Sequence, residues 1–285
     1  MPEIFEICDT YSVLRDGCLI GSGRIADVDE KQVTEMMIGR SLADDEFDHK
    51  PCYAGDEIAY RAQGLSGDLF EDISFELRKG EILAFTGLQS SGKDQLADAL
   101  FGVIPHTGTL THGSQVMEGG IRRYMKSGVA MVPRNRKERG IHNDLSIYDN
   151  LSMGFFNTLM KKLLIVPREE KQRYQREKER LAIKTDNPEN PITSLSGGNQ
   201  QKVILGRWLE TGADVLIFDN PTQGIDVGTK FEIYHLLIRL AQQGKSILLF
   251  SSEFPEIRKV ADRCVILYKG KINRVLERSE MNESD

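Results

Sequence analysis

The stretch Gly87-Leu88-Gln89-Ser90-Ser91-Gly92-Lys93-Asp94 decides the fold of this 285-residue chain. It follows an apolar run over residues 81–86 that indicates a buried strand, and it precedes an apolar spacing over 95–101 that predicts a helix. In that context the pattern G-x-x-x-x-G-K forms a phosphate cradle. Its glycines turn backbone N–H groups inward, the helix N-terminus adds positive potential, and the lysine reaches the β- and γ-phosphates. One position departs from the pattern, because Asp94 stands where Ser or Thr would give Mg²⁺ a hydroxyl ligand.

Composition and charge exclude several classes of protein. The composition is that of an ordinary soluble globular protein, and the net charge of −6 argues against a general nucleic-acid-binding surface. No apolar run approaches the ~18 residues needed to span a bilayer, and the acidic, polar residues 2–6 do not indicate a signal peptide. The four cysteines lie far apart with no C-x-x-C pair. We interpret them as reduced cytosolic thiols rather than as disulfides or a zinc site.

An internal repeat relates the first forty residues to the end of the chain. Residues 2–9 match residues 255–262 at an offset of 253, and the same offset pairs Leu14 with Leu267. An ungapped match of this kind can arise by chance. The interpretation that we favour is that residues 1–40 are the C-terminal tail of a preceding copy of the same domain, so that the sequence is the second half of a tandem protein.

The rest of the chain alternates between short apolar runs and helical patterns. Residues 41–56 are polar and acidic and indicate a linker, after which a domain over 57–285 begins. Residues 58–62 and 73–77 have a strand-like pattern, and short apolar strands follow at 129–132, 215–218, 247–250 and 265–268. Unbroken apolar runs that are separated by helices predict a parallel sheet that is buried on both faces. Helical patterns over 145–164 and 169–183 predict a helical insertion in this α/β core.

A second motif, Leu195-Ser196-Gly197-Gly198-Asn199-Gln200-Gln201-Lys202, lies just before a helical pattern over 203–209. Ser and two glycines at a helix start could be a simple cap, but the phosphate loop upstream makes the string far more specific. With both motifs the chain resembles the nucleotide-binding subunit of ATP-binding cassette (ABC) transporters. Residues 195–201 resemble the family's signature motif, 215–222 its Walker B strand and 224–226 its D-loop.

The resemblance implies a fold: an α/β P-loop NTPase (RecA-like) core with a parallel sheet, an antiparallel β subdomain and a helical subdomain at about 136–210. A narrower resemblance is to importers of simple sugars such as ribose, galactose and xylose, whose ATPase subunit carries two fused cassettes. The run V-P-R-N-R-K-E-R-G over 132–140 is similar to the V-P-E-D-R-K-x-x-G run of their second cassette. Residues 224–228 and 251–256 fit the same half. The resemblance thus implies a second cassette that follows the tail of a first.

Four positions depart from the family pattern. Asn220 stands where a Glu after the Walker B residue Asp219 polarises the attacking water, and an amide cannot act as a general base. Losing such a base typically costs ~10²–10⁴ in rate. Ser252 replaces the switch histidine, Arg134 the Gln or Glu of the Q-loop, and Asp94 the Mg²⁺-ligating hydroxyl. We expect a degenerate site that holds nucleotide without efficient turnover, the alternative being neutral drift in a working site.

The remaining site residues follow from the resemblance. ATP and Mg²⁺ are the implied cofactors, with Asp219 and Asp94 as the Mg²⁺ positions. The nucleotide-binding positions are Gly87, Gln89, Ser90, Ser91, Gly92, Lys93, Asp94 and Gln95. In the family two cassettes stack head to tail, so that the signature of one covers the ATP of the other. The positions implied to act in this way are Ser196, Gly197, Gly198, Asn199 and Gln200, together with Asp226 of the D-loop.

The implied function is the coupling of ATP binding and hydrolysis to uptake of a sugar or similar small solute. The implied partners are the first cassette, membrane permease subunits and, indirectly, an extracellular or periplasmic solute-binding protein, which places the chain at the cytoplasmic face of the cell membrane. We predict no nucleic-acid partner and no structural metal. A nucleotide-binding regulatory or scaffold module without hydrolysis is the alternative. ABC ATPases of DNA maintenance carry long coiled coils between phosphate loop and signature, and the interval 94–195 is too short for them.

Overall fold

The computed structural model describes residues 2–15, 17–39, 47, 51–159 and 167–281. The helices are α1 (Pro2–Ile7), α2 (Glu30–Ile38), α3 (Lys93–Leu100), α4 (Ile121–Lys126), α5 (Ile147–Leu159), α6 (Pro167–Arg180), α7 (Gly197–Leu209), α8 (Val227–Gln242) and α9 (Phe254–Val260). The strands are β1 (Thr10–Arg15), β2 (Cys18–Arg24), β3 (Ile58–Gly67), β4 (Phe70–Arg78), β5 (Ile82–Thr86), β6 (Thr107–His112), β7 (Gln115–Val116), β8 (Val129–Val132), β9 (Val215–Asp219), β10 (Ser246–Phe250), β11 (Arg263–Tyr268) and β12 (Lys271–Glu277). Most of the predicted linker (41–46 and 48–50) and residues 160–164 of a predicted helix lie outside the described residues.

The main sheet has the strand order β12-β11-β5-β10-β9-β8. All neighbours in it are parallel except the edge strand β12, which pairs antiparallel with β11. Alternate residues of β5 and β9 enter two separate hydrophobic clusters, one on each face of the sheet. The prediction of a parallel sheet buried on both faces is therefore confirmed, and it puts the carboxyl ends of β5, β8, β9 and β10 on one edge.

A smaller antiparallel sheet, in the order β4-β3-β6-β7, packs on one face of the core. The buried Tyr60 joins it to the helix that follows the phosphate loop, because its hydroxyl donates to the main-chain O of Leu100 at 2.8 Å. The turn between β3 and β4 brings Leu69 against the phosphate loop itself. The α/β fold with an antiparallel β sheet, implied by the resemblance, is confirmed.

The helical insertion consists of a π-helical turn (Arg136–Gly140) followed by α5, α6 and α7. The buried Arg207 of α7 links α7 to α5 and to the π-helical turn. Its guanidinium donates to the main-chain O atoms of Asn150 and Gly140 at 2.6 and 2.7 Å. The sequence pattern over 203–209 places the start of α7 too late. The helix begins at Gly197, because Ser196 caps it by accepting from the main-chain N of Asn199.

The N-terminal segment reproduces the C-terminal one element by element. At the offset of 253, β1 and β2 fall on β11 and β12, and the 3₁₀ turn Ile25–Asp27 falls on Arg278–Glu280. Even the register shifts agree, between Val13 and Leu14 in the first hairpin and between the corresponding residues in the second. The first hairpin forms a two-stranded sheet of its own, and α2 rests on α8. Within the described residues, no helix combines the length and the apolar character needed to cross a membrane.

Candidate nucleotide-binding site

The phosphate loop connects β5 to α3 at the carboxyl edge of the main sheet. Gly92 precedes α3 with φ of 87°, and a Cβ there would collide with the main-chain O of Leu69, so only glycine fits this position. Within the described part of the chain no side chain caps α3, and the first N–H groups of a helix have no partner inside the helix and can face an anion. Ser91 is buried, and its hydroxyl has no hydrogen-bond partner among the described residues. An orphaned buried hydroxyl beside an uncapped helix start fits a phosphate group.

The lysine of the loop has an unusual partner. Lys93 is almost completely buried, and its Nζ donates to Oδ1 of the adjacent Asp94 at 2.7 Å. The predicted positions Gln89 and Ser90 are exposed at the tip of the loop, whereas Gln95 is half-buried in α3. The carboxylate that replaces the expected hydroxyl therefore holds the ammonium group that the motif assigns to phosphate.

The Walker B position lies directly beside this pair. Asp219 ends β9 and is completely buried. Its Oδ2 accepts from Nη1 of Arg134 at 3.0 Å, and its Oδ1 accepts from Nδ2 of Asn220 at 3.1 Å. Burial raises the pKa of Asp219 to about 6, although the Arg134 guanidinium lowers it in part. The amide of Asn220 is therefore engaged with the Walker B carboxylate.

The sequence motifs did not indicate two charged residues of this site, Asp98 and Arg139. Asp98 lies one helical turn after Asp94 and is buried; it accepts from Nη2 of Arg134 at 3.0 Å and from Nη2 of Arg139 at 2.8 Å. The hydrogen bond to Asp98 raises the pKa of Arg139. The i, i+4 spacing of Asp94 and Asp98 puts both carboxylates on one helix face. This spacing is the feature of the sequence from which a role for Asp98 beside Asp94 could have been predicted.

The carboxylates of Asp94 and Asp219 do not fit Mg²⁺, which at a nucleotide site needs one or two free carboxylates beside phosphate oxygens and water. Their carboxylates already accept from Lys93, Arg134 and Asn220. The guanidinium of Arg134 thus contacts the carboxylate at which the resemblance predicts a divalent cation.

The switch position lies at the same edge of the sheet. The main-chain N of Asn220 donates to the main-chain O of Phe250 at 2.8 Å, which joins the ends of β9 and β10. Ser252 follows β10 and is exposed, whereas its neighbour Ser251 is buried and donates to Glu256 at 3.0 Å. The structure therefore brings the predicted positions 94, 134, 219, 220 and 252 to one edge.

The signature motif is built into the start of α7. Ser196 is exposed and accepts from the side chain of Asn199 at 3.0 Å. Gly198 lies so close to the D-loop and the start of α8 that a Cβ would come within 3.1 Å of Oδ2 of Asp226 and 2.5 Å of Oγ1 of Thr229. Asp226 caps α8 by accepting from the main-chain N of Thr229 at 2.9 Å. The signature and the D-loop therefore pack together, and the hydroxyl of Ser196 is exposed to solvent beside them.

Gln200 connects this unit to the segment that carries Arg134. Nε of Arg136 donates to Oε1 of Gln200 at 3.1 Å, and Nε2 of Gln200 donates to the main-chain O of Leu195 at 3.1 Å. Gly197 packs against the same Arg136 guanidinium. A single residue separates Arg134 from Arg136, so the candidate site and the signature share one short segment.

Comparisons with known proteins agree with this geometry. The family model described as ABC transporter matches residues 70–223. The ribose import ATP-binding protein of Geobacillus kaustophilus is 35% identical over 285 residues, covering 99% of this chain and 58% of that protein. The arabinose import ATP-binding protein of Azospirillum brasilense is 40% identical over 277 residues, covering 95% and 53%. The chain thus spans about half the length of the curated relatives it matches.

Solved structures share the fold at lower identity. The ATP-binding cassette MJ0796, in a dimeric post-hydrolysis state with ADP and Pi, superposes with a TM-score of 0.68 at 17% identity, covering 77% of this chain and 98% of that one. The ADP conformation of the cassette MJ1267 gives a TM-score of 0.65 at 19% identity, covering 80% and 94%.

Proposed function

The chain belongs to the ABC transporter family, and we propose that it is the second cassette of an importer ATPase that couples ATP binding and hydrolysis to uptake of a sugar or similar small solute. The relatives, which include ribose and arabinose import ATP-binding proteins, support the substrate class. Their greater length leaves room for a further cassette, with which this one would stack head to tail.

The proposed division of labour is asymmetric. The signature completes the catalytic site of the first cassette, where Ser196 and the N–H groups of Gly197 and Gly198 donate to a γ-phosphate. The cassette's own site holds nucleotide without efficient turnover. The observation that carries this proposal is the contrast between the exposed Ser196 hydroxyl at the start of α7 and the Asn220 amide bonded to Asp219.

Exposed apolar side chains in the N-terminal segment support a preceding cassette. Leu14 is 67% exposed, whereas Leu267, its counterpart at the offset of 253, is 2% exposed. Ile7 is 80% exposed, whereas its counterpart Val260 is completely buried. In the C-terminal copy both positions are part of the hydrophobic core, Leu267 on β11, which pairs with β5, and Val260 on α9. The proposed cover for the first copy is the equivalent sheet of the preceding cassette.

The further partners belong to the same proposal. Permease subunits would contact the helical subdomain from the membrane side, and a solute-binding protein would deliver the sugar to the permease from outside. This arrangement places the cassette at the cytoplasmic face of the membrane. The alternative, a nucleotide-binding regulatory or scaffold module without hydrolysis, is favoured only by the Asn220 and Ser252 positions.

Reconstitution from separate halves tests the proposal. This chain alone should bind ATP and show no ATPase activity above a buffer control, because it lacks a general base at residue 220. Adding a separately produced first cassette should raise turnover about 10²-fold over either half, since the signature then covers a complete site. A regulatory module predicts no increase in the mixture. Turnover by this chain alone would contradict the asymmetry.

A further inference from the structure

Arg134 contacts more parts of the candidate site than its position in a loop suggests. It leaves the sheet just after β8, and its guanidinium reaches both the end of β9 and the first turns of α3. Nη1 donates to Oδ2 of Asp219 at 3.0 Å and to the main-chain O of Asp94 at 2.9 Å, and Nη2 donates to Oδ2 of Asp98 at 3.0 Å. One cation therefore joins the Q-loop, the Walker B strand and the helix of the phosphate loop.

Protein groups alone balance the charge of the site. Lys93 and Arg139 add two cations to that of Arg134, and each of the three forms an ion pair with a carboxylate of the cluster. The side chain of Arg134 is only 19% exposed, so its interactions with these carboxylates are weakly screened by solvent. A divalent cation added to this cluster would therefore find each of the three carboxylates already paired with a protein cation.

The two departures from the family pattern at residues 94 and 134 compensate each other. Asp94 adds a negative charge where a hydroxyl is expected, and Arg134 adds a positive charge where Gln or Glu is expected. Nη1 of Arg134 lies 3.8 Å from Oδ1 of Asp94. A metal that displaced the guanidinium from the buried Asp219 would take from the largely buried Arg134 one of its two carboxylate partners, which is unfavourable.

We propose that Arg134 takes the place of Mg²⁺ in this cassette, so that nucleotide binds here without a divalent metal. The inference rests on the proposed function, which assigns nucleotide binding to this site. Among the described contacts, Nε and one hydrogen on Nη2 of Arg134 have no acceptor, so two donors remain for phosphate oxygens. A guanidinium fork matches phosphate oxygens in pairs, as the compact Lys ammonium does not. The orphaned hydroxyl of Ser91 and the uncapped start of α3 complete the donor set.

Calorimetric titration of this chain with ATP, once with excess Mg²⁺ and once with excess EDTA, tests the inference without any substitution. The two dissociation constants should agree within about threefold, because the protein supplies the cation that a metal would otherwise provide. ATP binding that requires Mg²⁺ would overturn the inference and leave the proposed function standing. Absence of ATP binding under both conditions would overturn the inference and also the nucleotide-holding part of the proposed function, while the reconstitution assay would still test the signature.

Substitutions at Arg134 and Arg139 distinguish the loss of the guanidinium that contacts Asp219 from the loss of a positive charge elsewhere in the cluster. Arg134→Gln, which restores an amide that the family uses at this position, should make ATP binding favour Mg²⁺ over EDTA by about tenfold or more, since Asp94 and Asp219 then lose their shared partner. Arg139→Gln removes a positive charge from Asp98 but leaves the ion pair between Arg134 and Asp219 in place, so it should shift the ratio much less than Arg134→Gln does. An unchanged ratio in folded Arg134→Gln protein would overturn the inference, as would an equal gain in both variants.

Discussion

Replacing Ser196 with Ala should lower the kcat of ATP hydrolysis by the two-cassette protein about 10²–10³-fold, the cost of removing one preorganised donor from a developing charge. The hydroxyl is exposed at the N-terminus of α7, where the helix dipole adds to its effect. In the proposed head-to-tail arrangement it donates to the γ-phosphate held by the first cassette. ATP affinity should change little, because the phosphate loop that holds the nucleotide is untouched.

A control is needed because Ser196 also caps α7. Loss of the cap costs about 1 kcal/mol of stability and is measured by thermal unfolding. Ser194→Ala removes a matched exposed hydroxyl two residues upstream, which donates to the main-chain O of Pro191 at 2.7 Å. This control should keep wild-type turnover. Equal losses in both variants, or full activity of Ser196→Ala, would contradict a role for the signature in the partner's site.

Replacing Leu14 with Asp should destabilise the two-cassette protein by about 3 kcal/mol or more and leave this chain alone nearly unaffected. In this chain Leu14 is 67% exposed, and a surface substitution there costs little. In the two-cassette protein the same residue should be buried as deeply as Leu267, and a carboxylate without a partner in that environment is expensive. Denaturant unfolding of both proteins measures the difference.

Ile20, on the second strand of the same hairpin, supplies the matched control for this prediction. It is also an exposed apolar residue of the first hairpin, but its counterpart at the offset of 253, Asn273, is exposed in β12. Ile20→Asp should therefore be neutral in both proteins. If Leu14→Asp were equally neutral in the two-cassette protein, residues 1–40 would not be the tail of a preceding cassette.

Much of the fold could be predicted from the sequence because its signals are local. The apolar runs over 129–132 and 215–218 coincide with β8 and with most of β9, since strands buried on both faces need no alternation of polar residues. The start of α7 was placed six residues too late, because Gly197 and Gly198 are poor helix formers and the capping contact of Ser196 is not apparent in an apolar pattern.

The site was less predictable, since its chemistry depends on contacts between distant residues. The motifs identified Asp94, Arg134 and Asp219 one at a time, and each departure suggested a separate loss of function. Only the fold brings residues 40 and 85 positions apart in the chain within hydrogen-bonding distance of Arg134. Motif comparison also gave no reason to notice Asp98, because it lies outside every motif.

The most direct test of the account is a rapid-quench experiment on the two-cassette protein loaded with radiolabelled ATP at both sites. The asymmetric account predicts about two nucleotides bound and about one phosphate formed per chain in the first turnover, with the second nucleotide recovered as intact ATP. In the Asn220→Glu variant the same count should stay near one, because the carboxylate restored by that substitution would still face a cluster organised around Arg134. Two phosphates per wild-type chain would contradict the central claim that this cassette holds nucleotide and serves its partner through the signature.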